Sequence, residues 1–99
     1  IEADQQIIKR DNNSWLIEGS TPIEDIKHAL EIDSMPDEEN YETLAGFMMF
    51  KLRKIPRPAD TVIHAGYKFE VVDVDHFKID QLLVTRIIEI NPLIQEESE

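Results

Sequence analysis

The chain has 99 residues, 41% of them hydrophobic and 31% charged, with a formal net charge of −11. That length makes one domain with one core, too short for two, and the acidity repels nucleic acid phosphates, which require clusters of Lys and Arg. Cysteine is absent, so disulfides, thiolate nucleophiles and zinc–thiolate sites are excluded.

Three further expectations follow from composition. The longest apolar run, Leu44 to Phe50, is far below the roughly 20 residues that cross a bilayer, so no membrane span is expected. The lack of cysteine favours the cytosol, because small secreted domains often carry disulfides. No signal peptide is visible and the chain opens at Ile1, which points to a fragment cut from the C-terminal end of a longer protein.

In chain order, Gln6–Arg10 and Ser14–Glu18 read as two short strands around Asp11-Asn12-Asn13, where Asn tolerates the left-handed backbone of a tight hairpin. Trp15 and Ile17 then share one face and Leu16 takes the other. Thr21-Pro22-Ile23-Glu24 has the form of a capping box, with Thr21 as cap and Pro22 at the first helical position. Ile23, Ile26 and Leu30 recur at helical spacing, which predicts a helix to about Glu31.

An acidic connector, Asp33 to Asn40, leads to a second helix capped by Thr43. Leu44, Ala45, Phe47, Met48, Met49, Phe50 and Leu52 make that helix apolar nearly all round, so it is expected to be buried on several sides or to lie at an interface. Gly46 within it is tolerated where another part of the chain packs closely. Acids before the helix (Asp37, Glu38, Glu39, Glu42) and bases at its end (Lys51, Arg53, Lys54) complement its dipole. Pro56 and Pro58 stop it.

The last third reads as sheet. Thr61–His64 and Tyr67–Asp75 flank an Ala65-Gly66 turn, and Ile79–Ile90 follows a turn at Asp75-His76-Phe77-Lys78, ended by Asn91-Pro92. Tyr67, Phe69 and Val71 alternate with Lys68 and Glu70, then the phase flips to Val72 and Val74, as a bulge requires. The result is an α+β fold of order β-β-α-α-β-β-β, two short helices against a mainly antiparallel sheet. One domain over residues 1–90, with its core in 14–88, precedes a disordered acidic tail at 91–99.

Taken together, Trp15-Leu16-Ile17-Glu18-Gly19, Tyr41-Glu42-Thr43-Leu44-Ala45-Gly46, Lys54-Ile55-Pro56, Gly66-Tyr67-Lys68-Phe69-Glu70-Val71-Val72-Asp73-Val74-Asp75 and Ile79-Asp80 resemble the CorC/HlyC transporter-associated domain over about residues 14–88. The resemblance implies the cytosolic C-terminus of a hemolysin-like or magnesium/cobalt efflux protein, on the cytoplasmic face of the plasma (inner) membrane. A transmembrane domain and a pair of CBS domains in the same chain would be its partners, and its role would be to modulate ion transport. It also implies a fold like the FAD-binding subdomain of flavin oxidases, which by itself brings no flavin. One departure stands out. The family often has Gly-Asp after the Ile-Pro segment, whereas this chain has Ala59-Asp60, so the shape of that turn is in question.

Catalytic chemistry has little to build on. Ser14, Ser20, Ser34 and Ser98 lie in no Gly-x-Ser-x-Gly elbow, and three glycines form no phosphate-binding loop. No catalytic residue and no cofactor are therefore expected. Asp73, Asp75, His76 and Asp80 cluster around one hairpin and are weak candidates for a divalent cation, though a Mg²⁺ or Ca²⁺ site needs more ligands than two strand carboxylates. Asp37-Glu38-Glu39 reads as a solvated connector, and His28 and His64 as surface residues.

Lys51, Arg53, Lys54 and Arg57 stand out in an acidic chain, and three of them are explained by the helix terminus. With Phe50 and Met49 they form the candidate interaction surface, for lipid headgroups, a neighbouring domain or a second copy in a homodimer. A non-enzymatic regulatory module that works by docking is the leading reading. A small-ligand module with an adenine nucleotide or flavin-like pocket is the alternative.

Overall fold

The computed structural model describes residues 6–87. Strand β1 (Ile7–Asp11) and strand β2 (Ser14–Glu18) form the expected hairpin. The Asp11 carboxylate accepts the Asn13 N–H at 2.8 Å, which closes the turn locally.

Three more strands complete the sheet: β3 (Thr61–His64), β4 (Tyr67–Asp75) and β5 (Lys78–Arg86). Their spatial order is β1-β2-β5-β4-β3, with every neighbouring pair antiparallel. The last strand in sequence is thus the central one. Period-two alternation then lines up whole rows across the sheet. Ile7, Ile17, Leu82 and Val71 form one row on the inner face, and Lys9, Trp15, Val84, Phe69 and Val62 the next.

Helix α1 (Ile23–Leu30) and helix α2 (Leu44–Leu52) bury Ile23, Ile26, Leu30, Leu44, Phe47 and Met48 in the same core as those rows. The Phe47 ring meets Phe69 of β4 edge-on, with centroids 5.4 Å apart, so α2 packs against the sheet beside its central strand. The α+β arrangement and the order of elements are as the sequence predicts.

The two helix starts are locked to each other. Leu44 donates its N–H to the Thr21 carbonyl and Ala45 to the Gly19 carbonyl, while Ile23 donates to the Glu42 carbonyl. Gly46 N–H goes to Thr43 Oγ1 at 3.1 Å, the cap expected from sequence. The first three N–H groups of α2 therefore all have partners, two of them supplied by the β2–α1 loop.

That lock corrects the capping box. Pro22, in an extended conformation, caps α1, and no side chain bonds to its first turn. The Thr21 backbone is used on both sides, by Glu18 and by Leu44. Its hydroxyl is fully buried without a partner. Holding the main chain against α2 turns the side chain away from α1.

Three smaller corrections concern the loops and edges. The connector contains a 3₁₀ turn at Glu38–Asn40, and Glu38 accepts from Met35 N–H (2.8 Å) and Lys27 Nζ (2.9 Å), so it is a tie rather than a solvated side chain. The final strand ends at Arg86 rather than Ile90, because its partners run out there: β4 begins opposite it at Tyr67 and β2 at Ser14. The bulge expected in β4 is present, with register shifts at Asp73, but Val74 alone packs toward the core and Val72 stays exposed. The Asn91-Pro92 stop, the tail at 91–99 and residues 88–90 lie outside the described residues.

Candidate functional site

Helix α2 uses its apolar residues unequally. Leu44, Phe47 and Met48 are buried, Phe50 and Leu52 are half-buried, and Met49 is 41% exposed. The helix ends at Arg53, which takes a left-handed backbone (φ 56°) and donates its N–H to the Met49 carbonyl. The Arg53 guanidinium lies 4.5 Å from the centre of the Phe50 ring, and its Nε donates to the Phe50 carbonyl at 2.7 Å. A cation–π contact and a hydrogen bond thus fix this charge at the surface.

The following loop is anchored at both ends. Pro56 is buried, Ala59 N–H donates to the Val71 carbonyl, and Val71 N–H returns the bond to the Asp60 carbonyl. Asp60 accepts the Arg57 N–H at 2.9 Å and pairs with Lys54 Nζ at 3.1 Å. Those two contacts, the Arg57 N–H first, hold its carboxyl below the ordinary Asp range. Between the anchors Lys51, Arg53, Lys54 and Arg57 are all exposed, and Ile55 beside them is 60% exposed. The six sequence candidates are neighbours along the chain: Met49, Lys51, Arg53, Lys54 and Arg57 are exposed and Phe50 is half-buried. Ile55 belongs with them. Its signal was an isoleucine set between basic residues where no core strand or helix could use it.

Ala59 has φ 79°, where glycine sits freely and an L-residue is strained. The turn at Ala59-Asp60 is thus held with strain at a single residue.

The hairpin candidates are arranged differently. Asp73, Asp75, His76 and Asp80 are all exposed around the β4–β5 turn. The Asp75 carboxylate lies 2.6 Å from His76 Nδ1 and faces Lys78 across the ladder, and Asp73 faces Gln81. Among the described residues no three His, Asp or Glu side chains converge as a cation site. The turn has a further feature that sequence reading missed. His76 and Phe77 both have positive φ, where Asn-Gly would be usual, and Phe77 is 70% exposed.

Of the histidines, His28 is exposed as expected. His64 is not a simple surface residue: its Nε2 lies 3.0 Å from the Ser34 carbonyl and its ring packs near Phe47.

Residues 8–87 match the family model CorC_HlyC, described as a transporter associated domain. The chain belongs to that family. It is 63% identical over 84 residues to the polyamine export protein of Escherichia coli strain K12, an alignment covering 85% of this chain and 19% of that protein. The chain therefore spans about a fifth of the length of the curated relatives it matches. Among solved structures, a CorC_HlyC domain from Haemophilus ducreyi is 50% identical, with a TM-score of 0.72, covering 83% of this chain and 98% of that one. The CorC_HlyC domain of a Xylella fastidiosa hemolysin, solved in complex with Mg and Mn ions, is 35% identical, with a TM-score of 0.73, covering 84% and 99%. Among the described residues of this CorC_HlyC domain, no helix is long and apolar enough to cross a membrane.

Proposed function

We propose that this CorC_HlyC domain is a non-catalytic regulatory module at the C-terminus of a membrane-bound exporter of cationic cargo. It would lie on the cytoplasmic face, after a transmembrane domain and a CBS pair of the same chain. It acts by docking, on those neighbours, on a second copy or on the adjacent membrane, with different contact energy in the different states of the transporter. Only such a difference can shift the transporter's equilibrium.

One observation carries the reading: a 63% match covering 85% of this chain but only 19% of a polyamine export protein. That coverage supports a role as an accessory part of a larger transporter. The same similarity makes polyamines the favoured cargo. The docking surface is the stretch from Met49 to Arg57, where apolar and cationic side chains are exposed together.

A second reading, in which the domain itself senses a divalent cation, is favoured by the Mg and Mn complex of the 35% identical Xylella domain. Its ligands would have to come from the exposed Asp73, Asp75, His76 and Asp80, which do not converge in this structure. Isothermal titration with Mg²⁺ decides it: sub-millimolar binding supports a sensor, and the absence of heat removes it.

For the leading reading, the experiment is export of a labelled polyamine by the full-length transporter and by a version truncated before this domain. Altered export or lost regulation at equal membrane abundance is expected. Unchanged export and regulation would refute the proposal.

A further inference from the structure

We infer that the end of α2 and the loop after it, Lys51 to Arg57, form a docking surface for an anionic lipid bilayer. The inference rests on the proposed function for the nearness of a membrane, and it deepens that reading by naming the bilayer as what this stretch meets.

The first support is charge segregation. Residues 43–59 contain four basic and no acidic side chains, a net charge of +4, whereas the remaining residues together carry −15. Lys51, Arg53, Lys54 and Arg57 are all exposed. Acids just before α2, such as Glu42, lie at its other end, about 14 Å away for nine residues of helix. That distance exceeds the Debye length of about 8 Å at physiological salt, so a surface touching the loop meets a local cationic patch. Asp60, the nearest acid in sequence, accepts the Arg57 N–H and pairs with Lys54, so Lys51, Arg53 and Arg57 are the cations this pair leaves in the patch.

The second support is the apolar content of the patch. Ile55 lies between Lys54 and Arg57 in sequence and is 60% exposed, with Met49 41% exposed on the last turns of α2. Cations flanking one aliphatic side chain match the interfacial region of a bilayer, where phosphates lie beside the first methylenes. Nucleic acid offers no such apolar layer.

The third is rigidity. Pro56 is buried, and Ala59, Asp60 and Val71 tie the loop to β4 through backbone hydrogen bonds. Arg53 is held on Phe50. The backbone of the patch therefore needs little ordering when it binds.

The experiment is flotation of the 99-residue chain with phosphatidylcholine vesicles, with and without phosphatidylglycerol. Partitioning should favour the anionic vesicles by about tenfold or more, and fall with added salt. Each cation near an anionic surface contributes roughly a factor of five, so K51E/R57E should lower partitioning by about tenfold or more. I55S should lower it several-fold. These side chains were chosen because Arg53 caps α2 and Lys54 holds Asp60, so their loss would confuse folding with binding. Equal partitioning onto both vesicle types, no binding to either, or undiminished binding by K51E/R57E would overturn the inference. So would a dimer, in the absence of lipid, that K51E/R57E dissociates, since the patch would then fit an acidic surface on a second copy. The truncation experiment is independent of these outcomes: the domain can regulate export without touching lipid, and can touch lipid without regulating export.

Discussion

At Gly19 the chain passes so close to β5 that a Cβ would overlap the Ile79 carbonyl oxygen, while the Gly19 N–H donates to the Asp80 carbonyl at 2.9 Å. Both partners are backbone and neither can move without breaking the β2–β5 ladder. Gly19→Ala is therefore expected to cost about 3 kcal/mol, read as a fall in the denaturant midpoint. Two threonines test the helix starts. Thr43 Oγ1 accepts the Gly46 N–H, so Thr43→Ala should cost about 1 kcal/mol. The buried Thr21 hydroxyl has no partner, so Thr21→Val, which keeps the shape, should leave stability within about 0.5 kcal/mol or raise it. If the capping box existed, both would destabilise alike. At Ala59, where φ is 79°, Ala59→Gly should stabilise by about 0.5–1 kcal/mol, the left-handed strain outweighing the entropy glycine brings to the unfolded chain. A lower melting temperature for that variant would contradict the strain assigned there.

At the scale of elements, the most informative contact joins α1 to the connector. Lys27 Nζ reaches Glu38 at 2.9 Å and Glu24 at 3.4 Å, and Glu38 also accepts the Met35 N–H. The Lys27 hydrogen bond, followed by the Met35 N–H, holds the Glu38 carboxyl below the usual Glu range, and Glu38 in turn raises Lys27. A carboxyl depressed in the folded state stabilises above its unfolded pKa of about 4.3, and the benefit disappears as pH falls through the lower folded value. Glu38→Gln should accordingly melt at a lower temperature than the parent at pH 7, and the gap should close as acid protonates Glu38 in the parent. A gap that persists in acid would assign the effect to packing instead of charge. Lys27, raised, contributes in the opposite window: its share persists until the pH passes about 10.4 and is lost through the raised folded value.

Much at this scale was legible in the sequence because its causes are local. Strict alternation at Trp15 and Ile17, and at Tyr67, Phe69 and Val71, gave the inner face, and Ile23, Ile26 and Leu30 gave the buried stripe of α1. What remained hidden depends on residues far apart. The close approach at Gly19 involves Ile79, and the misassigned cap at Thr21 follows from a bond to Leu44. Glu38 reads as one acid among several until Lys27 is placed beside it. The candidate surface rests on charge contrast in the sequence, which passes over Ile55 and Phe77, because exposure of an apolar residue is a property of the folded chain.

Across the whole molecule, nearly every large apolar side chain on the inner face of the sheet goes into one core shared by both helices. The four hairpin candidates for a cation stand exposed, one carboxylate already beside a histidine. What the CorC_HlyC domain presents outward is contrast: a rigid cationic stretch with Met49 and Ile55 exposed, on a chain of net charge −11. State-dependent contact through that stretch is the central claim. Hydrogen exchange on the full-length transporter, empty and loaded with cargo, tests it most directly. Amides from Met49 to Arg57 should differ in protection between the two states, while those of β4 and β5 behind them stay alike. Identical exchange over that stretch in both states would contradict the account.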